Sequence, residues 1–343
     1  MELGICTFAD MPPDPLTGKK ITASQRLQEL LEEIKLADEV GLDVFAVGEH
    51  HRVDYAASSP TVILGAAAAI TKNIKLSSGV TVLSSEDPVR VFQQFATVDS
   101  LSNGRAEIMA GRGSFIESFP LFGYDLNDYD TLFSEKLELL LKINGQEKVT
   151  WSGKHRASIN NLGIYPRPHQ QKLPVWIAIG GTPQSVQRAA MLGLPLTIAI
   201  IGGSPDRFTS YVDYYRQIWK EAGHDESKLQ VGINSHTYVA DSSKQAADEF
   251  YPAYADVMTR IGRERGWQPM SRDSYEMMRE PEGSLMVGSP QQVIDKILYE
   301  YELFHHTRYL AQIGVGTMPH DKIMRAIELF GTVVAPAVRK ALS

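Results

Sequence analysis

Thr22–His51 reads TASQRLQELLEEIKLADEVGLDVFAVGEHH, and its two halves follow different patterns. In the first, Leu27, Leu30, Leu31, Ile34, Ala37 and Val40 recur at the i, i+3, i+4, i+7 spacing of an amphipathic helix. Thr22 with Gln25 resembles a capping box at its start, and Gly41 stands where a helix-ending glycine belongs. In the second, Leu42–Val47 is a short apolar run that reads as a strand and stops abruptly at Glu49, His50 and His51. Leu3–Phe8 (LGICTF) upstream is a further strand, so the stretch completes a strand–helix–strand unit.

Working outward, the unit repeats. Thr61–Thr71 is an alanine-rich helix, and Ile74–Leu83 is a strand with Gly79 inside it. Asp87-Pro88 caps and opens a helix. The alternation continues through strands near 106, 175, 195, 230 and 309, giving eight in all. Strict alternation argues for parallel strands with right-handed crossovers. Eight units in 343 residues fit a single α/β domain over 1–343, a (β/α)8 TIM barrel with insertions. An open doubly wound sheet is the alternative, but the turn after the first strand, FADMPPDPLTG, has no G-x-G-x-x-G. Residues 144–172, with prolines at 166 and 168, read as an excursion outside the barrel. Residues 245–288 read as a variable, lid-like segment, irregular over 266–284, with Trp267, Tyr275, Met277 and Met278 available to line an apolar pocket.

The net charge of −7 is spread along the chain with no Lys/Arg block, which argues against nucleic acid as a partner. The longest apolar runs span about half of what a membrane helix needs, and MELGICTFADMPP lacks the features of a signal peptide. The single cysteine, Cys6, forms no internal disulfide and reads as a small hydrophobe on a buried strand. A cytoplasmic protein is expected.

Barrel active sites lie at the C-terminal ends of the strands, and four such places carry polar or glycine-rich sequence. After the fifth strand, Gly180-Gly181-Thr182-Pro183 turns tightly into a helix whose N-terminus is an anion site. Arg112, between two glycines after the fourth strand, is placed for charge-assisted bonds to a phosphate or for an ion pair with a loop carboxylate. After the second strand, His50 and His51 point to opposite faces of extended chain. Only one can enter the mouth, and with no H-E-x-x-H and no zinc spacing, no metal is expected. Glu49 could orient a histidine ring or tune it into a base working near neutrality, or the set could be structural. Gly79 marks a bulge, a close ligand approach or a packing contact. His305-His306, late in a helix, reads as surface.

These segments together resemble the bacterial luciferase-like flavin monooxygenases over nearly the whole chain. The ordered set is Ala37–His51, Asp87–Arg90, DSLSNGRAEIMAGRG (99–113), PVWIAIGGTPQS (174–185), AAMLGLP (189–195), VGSPQQV (287–293) and FGTVVAPAVR (330–339). The resemblance implies a barrel that binds reduced FMN at its C-terminal mouth, with the flavin edge against a non-prolyl cis peptide at Gly79-Val80. It implies phosphate contacts at Arg112, Gly180, Gly181, Thr182 and Ser185, and a catalytic histidine at His50 with Glu49 and His51 beside it. It further implies a flavin-dependent monooxygenase, a homodimer, supplied with reduced flavin by a separate flavin reductase and acting on a small-molecule substrate. A deazaflavin-dependent oxidoreductase on the same barrel, or a non-catalytic flavin-binding protein, is the alternative. Family members have a carboxylate where Gly181 stands here.

Overall fold

The computed structural model describes residues 1–343. Eight parallel strands close into a barrel: β1 (Glu2–Thr7), β2 (Val44–Val47), β3 (Lys75–Ser78), β4 (Ala106–Gly111), β5 (Val175–Ile179), β6 (Leu196–Ile200), β7 (Val231–Val239) and β8 (Arg308–Gln312). Each pairs with its successor, and β8 pairs with β1 through Glu2 opposite Arg308 and Cys6 opposite Gln312, which closes the ring. The eight strands read from sequence are these eight. The helices α1 (Ala23–Glu39), α2 (Pro60–Ile70), α3 (Pro88–Leu101), α4 (Tyr129–Gly145), α5 (Pro183–Met191), α6 (Thr209–Glu221), α7 (Ser243–Arg265), α8 (Pro290–Phe304) and α9 (His320–Leu329) form the outer layer, and a π-helical turn at Phe330–Val334 leads into a last helix, Ala335–Ala341. Thr22 caps α1 by accepting the Gln25 backbone N–H, but the Gln25 amide bonds Glu29, so only half of a capping box forms.

Apolar burial is divided unequally. One cluster of 77 buried residues fills the space between strands and helices, whereas only Cys6, Val44, Ala46, Met109, Trp176 and Leu310 make the apolar interior of the barrel. The interior is therefore shallow and leaves room at the C-terminal mouth. Its other end is closed by charge. Arg308, 1 % exposed, forks onto Glu107, donates from Nε to Glu2 at 2.8 Å, and lies 4.1 Å from the Trp176 ring centroid.

Three segments differ from a plain barrel. Lys148–Trp151 and Ile159–Gly163 form a separate antiparallel hairpin. The strand expected over 74–83 breaks after Ser78 and resumes at Thr81–Val82, with the cis Gly79–Val80 peptide between the two pieces. The stretch read as irregular over 266–284 contains a short helix, Arg272–Arg279, followed by a strand, Met286–Gly288, on the edge of β7. The surface reading of His305-His306 holds for His305, which is exposed, and is corrected for His306. His305 ends α8 with a left-handed φ of 44°, and the chain turns there to send His306 inward, leaving it 1 % exposed beside Tyr301 and Tyr309.

Candidate active site

The C-terminal mouth holds a cavity of about 430 Å³, within the range of small-molecule sites. Its floor is made by inward residues of the strands, Cys6, Met109 and Leu310 among them. Gly79 is required there. A Cβ on it would lie 2.9 Å from the Ala46 Cβ and 3.0 Å from the Cys6 Sγ. Gly111 has the same role one strand over, where a Cβ would meet Val80 Cγ2 at 2.7 Å. Val80 thus reaches the cavity because its neighbour has no side chain. The Cys6 thiol donates to the Gly79 carbonyl at 3.6 Å, and burial, with Asp10 nearby, pushes it up to about 12, so it is an inert hydrophobe.

Glu49, His50 and His51 lie just beyond the end of β2, and Glu49 and His50 line the cavity. His50 lines the cavity, stacked on Phe8 with centroids 4.2 Å apart and flanked by Tyr55 and Phe115, each at 4.6 Å. His51 lies outside the lining, its Nε2 2.7 Å from Glu49 Oε1. The other Glu49 oxygen accepts the Val82 N–H at 2.9 Å. Glu49 therefore ties the end of β2 to the chain beyond the cis peptide, and its histidine partner is His51. Burial, with Arg52 and His51 nearby, lowers the His50 imidazole to about 3. The ring is neutral at physiological pH, offering one N–H donor and one acceptor nitrogen.

At the opposite rim, Arg112 makes the expected ion pair with a carboxylate. Nη1 bonds Asp130 Oδ1 at 2.6 Å, and Nη2 donates to Thr182 Oγ1 at 3.1 Å. Thr182 in turn donates to Ser185 Oγ at 2.8 Å. No side chain caps α5, so its N-terminal turn faces this rim with its dipole unanswered. Gly180, Thr182 and Ser185 line the cavity; Gly181, with φ of 107°, makes the turn without lining it. A second guanidinium, Arg188, is lowered by burial and by the charge of Arg112. It lies over the Phe133 ring, 5.2 Å from the centroid, while Asp130 pairs with Arg112.

Several lining residues were not singled out from sequence. Asn234 and His236 on β7 point inward at alternate positions, but Ser235 and Thr237 between and beyond them are polar too, so the sequence carries no alternating signal there. His236 is held down to about 4 by burial. From α7 come Val257, Met258, Ile261 and Arg265, followed by Trp267. Of the other three residues named there, Tyr275 is fully buried against Tyr251, Met278 packs on the outer core and Met277 is 67 % exposed, so none lines the cavity. Arg52 joins the loops around the mouth, bonding Glu264 at 3.1 Å and Glu117 at 3.3 Å. No group of three or more His, Cys, Asp or Glu side chains is arranged to hold a metal ion, and no helix is long and apolar enough to cross a membrane.

The family model described as luciferase-like monooxygenase matches residues 1–307. The chain belongs to the luciferase-like monooxygenase family. Among family relatives, the 4-hydroxyprotoasukamycin monooxygenase of Streptomyces nodosus subsp. asukaensis is 27 % identical, over 91 % of this chain and 87 % of the relative. The fold matches the FMN complex of a type II Baeyer–Villiger monooxygenase, the oxygenating constituent of 3,6-diketocamphane monooxygenase from Pseudomonas putida, with a TM-score of 0.80 and 20 % identity, covering 98 % of this chain and 99 % of that one. It also matches an F420-dependent secondary alcohol dehydrogenase, with a TM-score of 0.74 and 18 % identity, covering 98 % and 99 % of the two chains. At these identities the structural likeness speaks for the fold, which serves both flavin and deazaflavin chemistry.

Proposed function

We propose that this chain is the oxygenase of a two-component system, a cytoplasmic homodimer that takes reduced FMN from a separate flavin reductase and uses dioxygen to oxygenate a small organic molecule. The observation that carries the reading is the polarity of the cavity. A phosphate-sized cationic rim at Arg112, Thr182 and Ser185 lies at one end, and an apolar floor with room made by Gly79 and Gly111 lies at the other. That donor set and floor fit a flavin mononucleotide. Arg112 and the α5 N-terminus would hold the phosphate, and Gly79-Val80 would meet the ring.

Reduced flavin, when bound, supplies the electrons that activate dioxygen. The protein does the rest. Phe8, Tyr55, Phe115 and Trp267 exclude water and favour a substrate with an apolar body. His50, neutral and held by its aromatic neighbours, takes a proton at its free ring nitrogen or donates from the other. Glu49 and His51 keep the end of β2 in place. The α7–Trp267 stretch, joined to the opposite loops through Arg52, is proposed to gate the mouth.

Anaerobic titration with reduced FMN tests the proposal. Saturation in the micromolar range, followed by oxygen-dependent product with an added reductase, is expected. Binding weaker than millimolar rejects it, and a clear preference for reduced deazaflavin in the same titration moves the chain to the hydride-transfer branch.

A further inference from the structure

Asp10 lies just beyond β1 and is 6 % exposed. Ala9, a residue with a Cβ, takes a left-handed φ of 55° immediately before it, a conformation that must be imposed by its surroundings. The chain turns there and lays the Asp10 carboxyl against the cavity wall. Its Oδ1 accepts the backbone N–H of Gly316 at 2.9 Å. Gly316 has a φ of 80° and no room for a Cβ, since Ala253 O would lie 2.8 Å from one. Two unusual backbone positions therefore converge to hold one acidic side chain, in a cavity otherwise walled there by Cys6, Phe8 and Tyr55.

A second, much smaller cavity lies behind Asp10. Its volume is about 10 Å³, the room of a single water molecule. Asp10 is the only residue that lines both cavities. Arg26, Glu29 and Glu33 of α1 and His320 at the start of α9 line the small one, beside Ile21, Met318 and Ile323. Arg26 forks onto Glu33 at 2.8 and 3.0 Å, which keeps that carboxylate ionised. His320 spans the remaining distance to solvent. Its Nε2 bonds the exposed Glu32 at 2.9 Å, while its Nδ1 is buried, 3.5 Å from Glu33 Oε1 and without a hydrogen-bond partner.

We infer that Asp10, one water in the cavity behind it and His320 form a proton relay between the catalytic cavity and solvent, running through the seam between β1 and β8. Protonated Asp10 gives its proton to an oxygen atom of the reactants and takes one back from the water. The water is restored from His320 Nδ1; the ring keeps its Nε2 proton, bonded to Glu32, and is recharged at Nδ1 when the water exchanges with solvent. Each group ends as it began, and one proton has moved inward. The route matters because aromatic side chains that shield the reactants from water would also shield them from solvent protons.

The charges around the relay suit it. Burial pushes the Asp10 carboxyl up to about 7, opposed by the Gly316 N–H and by Arg26 and Arg260 on α1 and α7. Tyr55 and Cys6, which also face it, are both pushed up and stay neutral. His320 is raised to about 9 by the carboxylates of Glu33 and Glu32 beside it, with Glu29 adding to them, so it is a charged reservoir at neutral pH.

The relay deepens the flavin reading, and the test keeps the two apart. Asp10→Asn retains the acceptor for Gly316, and His320→Gln retains a partner for Glu32. In flavin-free protein, infrared titration is expected to show a protonated carboxyl with a midpoint near 7, absent in D10N. With reduced FMN bound, D10N is expected to slow the proton-dependent step of oxygen turnover about 100-fold and H320Q about tenfold, with affinity for reduced FMN unchanged. The double variant should be no slower than D10N, because the groups act in series. An infrared band unchanged in D10N, an unaltered pH–rate profile in D10N, or additive losses in the double variant would overturn the relay. Failure of wild-type protein to bind reduced FMN, with the infrared titration as expected, overturns the flavin reading and supports the placement of Asp10. Should D10N not fold, H320Q, altered near the surface, carries the kinetic test alone.

Discussion

His50 and His51 are adjacent in sequence and separate in role. In the chain just beyond β2, one ring faces the cavity and the other turns to Glu49. The ring facing inward is packed among Phe8, Tyr55 and Phe115, and that burial holds it neutral far below pH 7. Its proposed work is therefore hydrogen bonding and brief proton transfer, without a resting positive charge. His50→Ala is expected to lower turnover about 100-fold while reduced FMN still binds within a few-fold of wild type. Single-turnover kinetics beside an anaerobic titration separates these effects, and an equal loss of binding and turnover would make His50 a structural residue.

Among the elements, the β5–α5 turn concentrates the anion-binding features. Two glycines turn the chain, the helix begins with proline, and Arg112 arrives from β4 already anchored to Asp130. Removing that guanidinium should weaken phosphate binding, and it also leaves Asp130 and Thr182 without this partner. Arg112→Ala is expected to weaken FMN binding about tenfold or more, a charge-assisted bond being worth about 1.5–3 kcal/mol, and to leave riboflavin binding unchanged. Fluorescence titration with both ligands checks it. The junction of α8 and β8 carries a different consequence. Burial lowers His306 to about 3 from 6.5, so the unfolded chain binds the extra proton between those values and stability falls as pH drops through that window. His306→Phe removes this liability. Relative to wild type, the variant should gain about 1.4 kcal/mol for each pH unit below 6.5, read from urea unfolding at pH 7, 6 and 5.

The whole molecule is a ring of strands whose stability resides outside the ring. The apolar layer beneath the helices holds the barrel together, which frees the upper interior for a cavity and leaves the lower end to Arg308, Glu107 and Glu2. A buried ion pair adds little over apolar packing, but breaking one strands a charge. Glu107→Gln is expected to destabilise the protein by about 3 kcal/mol, and Glu107→Gln with Arg308→Met to recover much of that loss. Chemical denaturation measures both; equal stability of wild type and the single variant would mean that Glu2 alone satisfies Arg308.

The amino-acid sequence by itself determined the alternation of strands and helices, because hydrophobic period, caps and turn glycines are local properties. It also marked Glu49-His50-His51, Gly79, Arg112 and the double glycine at 180–181, since polar or glycine residues at strand ends interrupt otherwise apolar runs. Only the tertiary structure decided which histidine faces the cavity, that Glu49 belongs to His51, and that α7 supplies one wall of the mouth. The helical period of α7 shows an apolar face without saying what that face covers, and His306 is buried by a turn that its own sequence does not announce. Asp10 is the strongest case. Its neighbours Gly316 and His320 lie some three hundred residues away in the chain. Closure of β8 against β1 brings them together, and no local pattern records that closure.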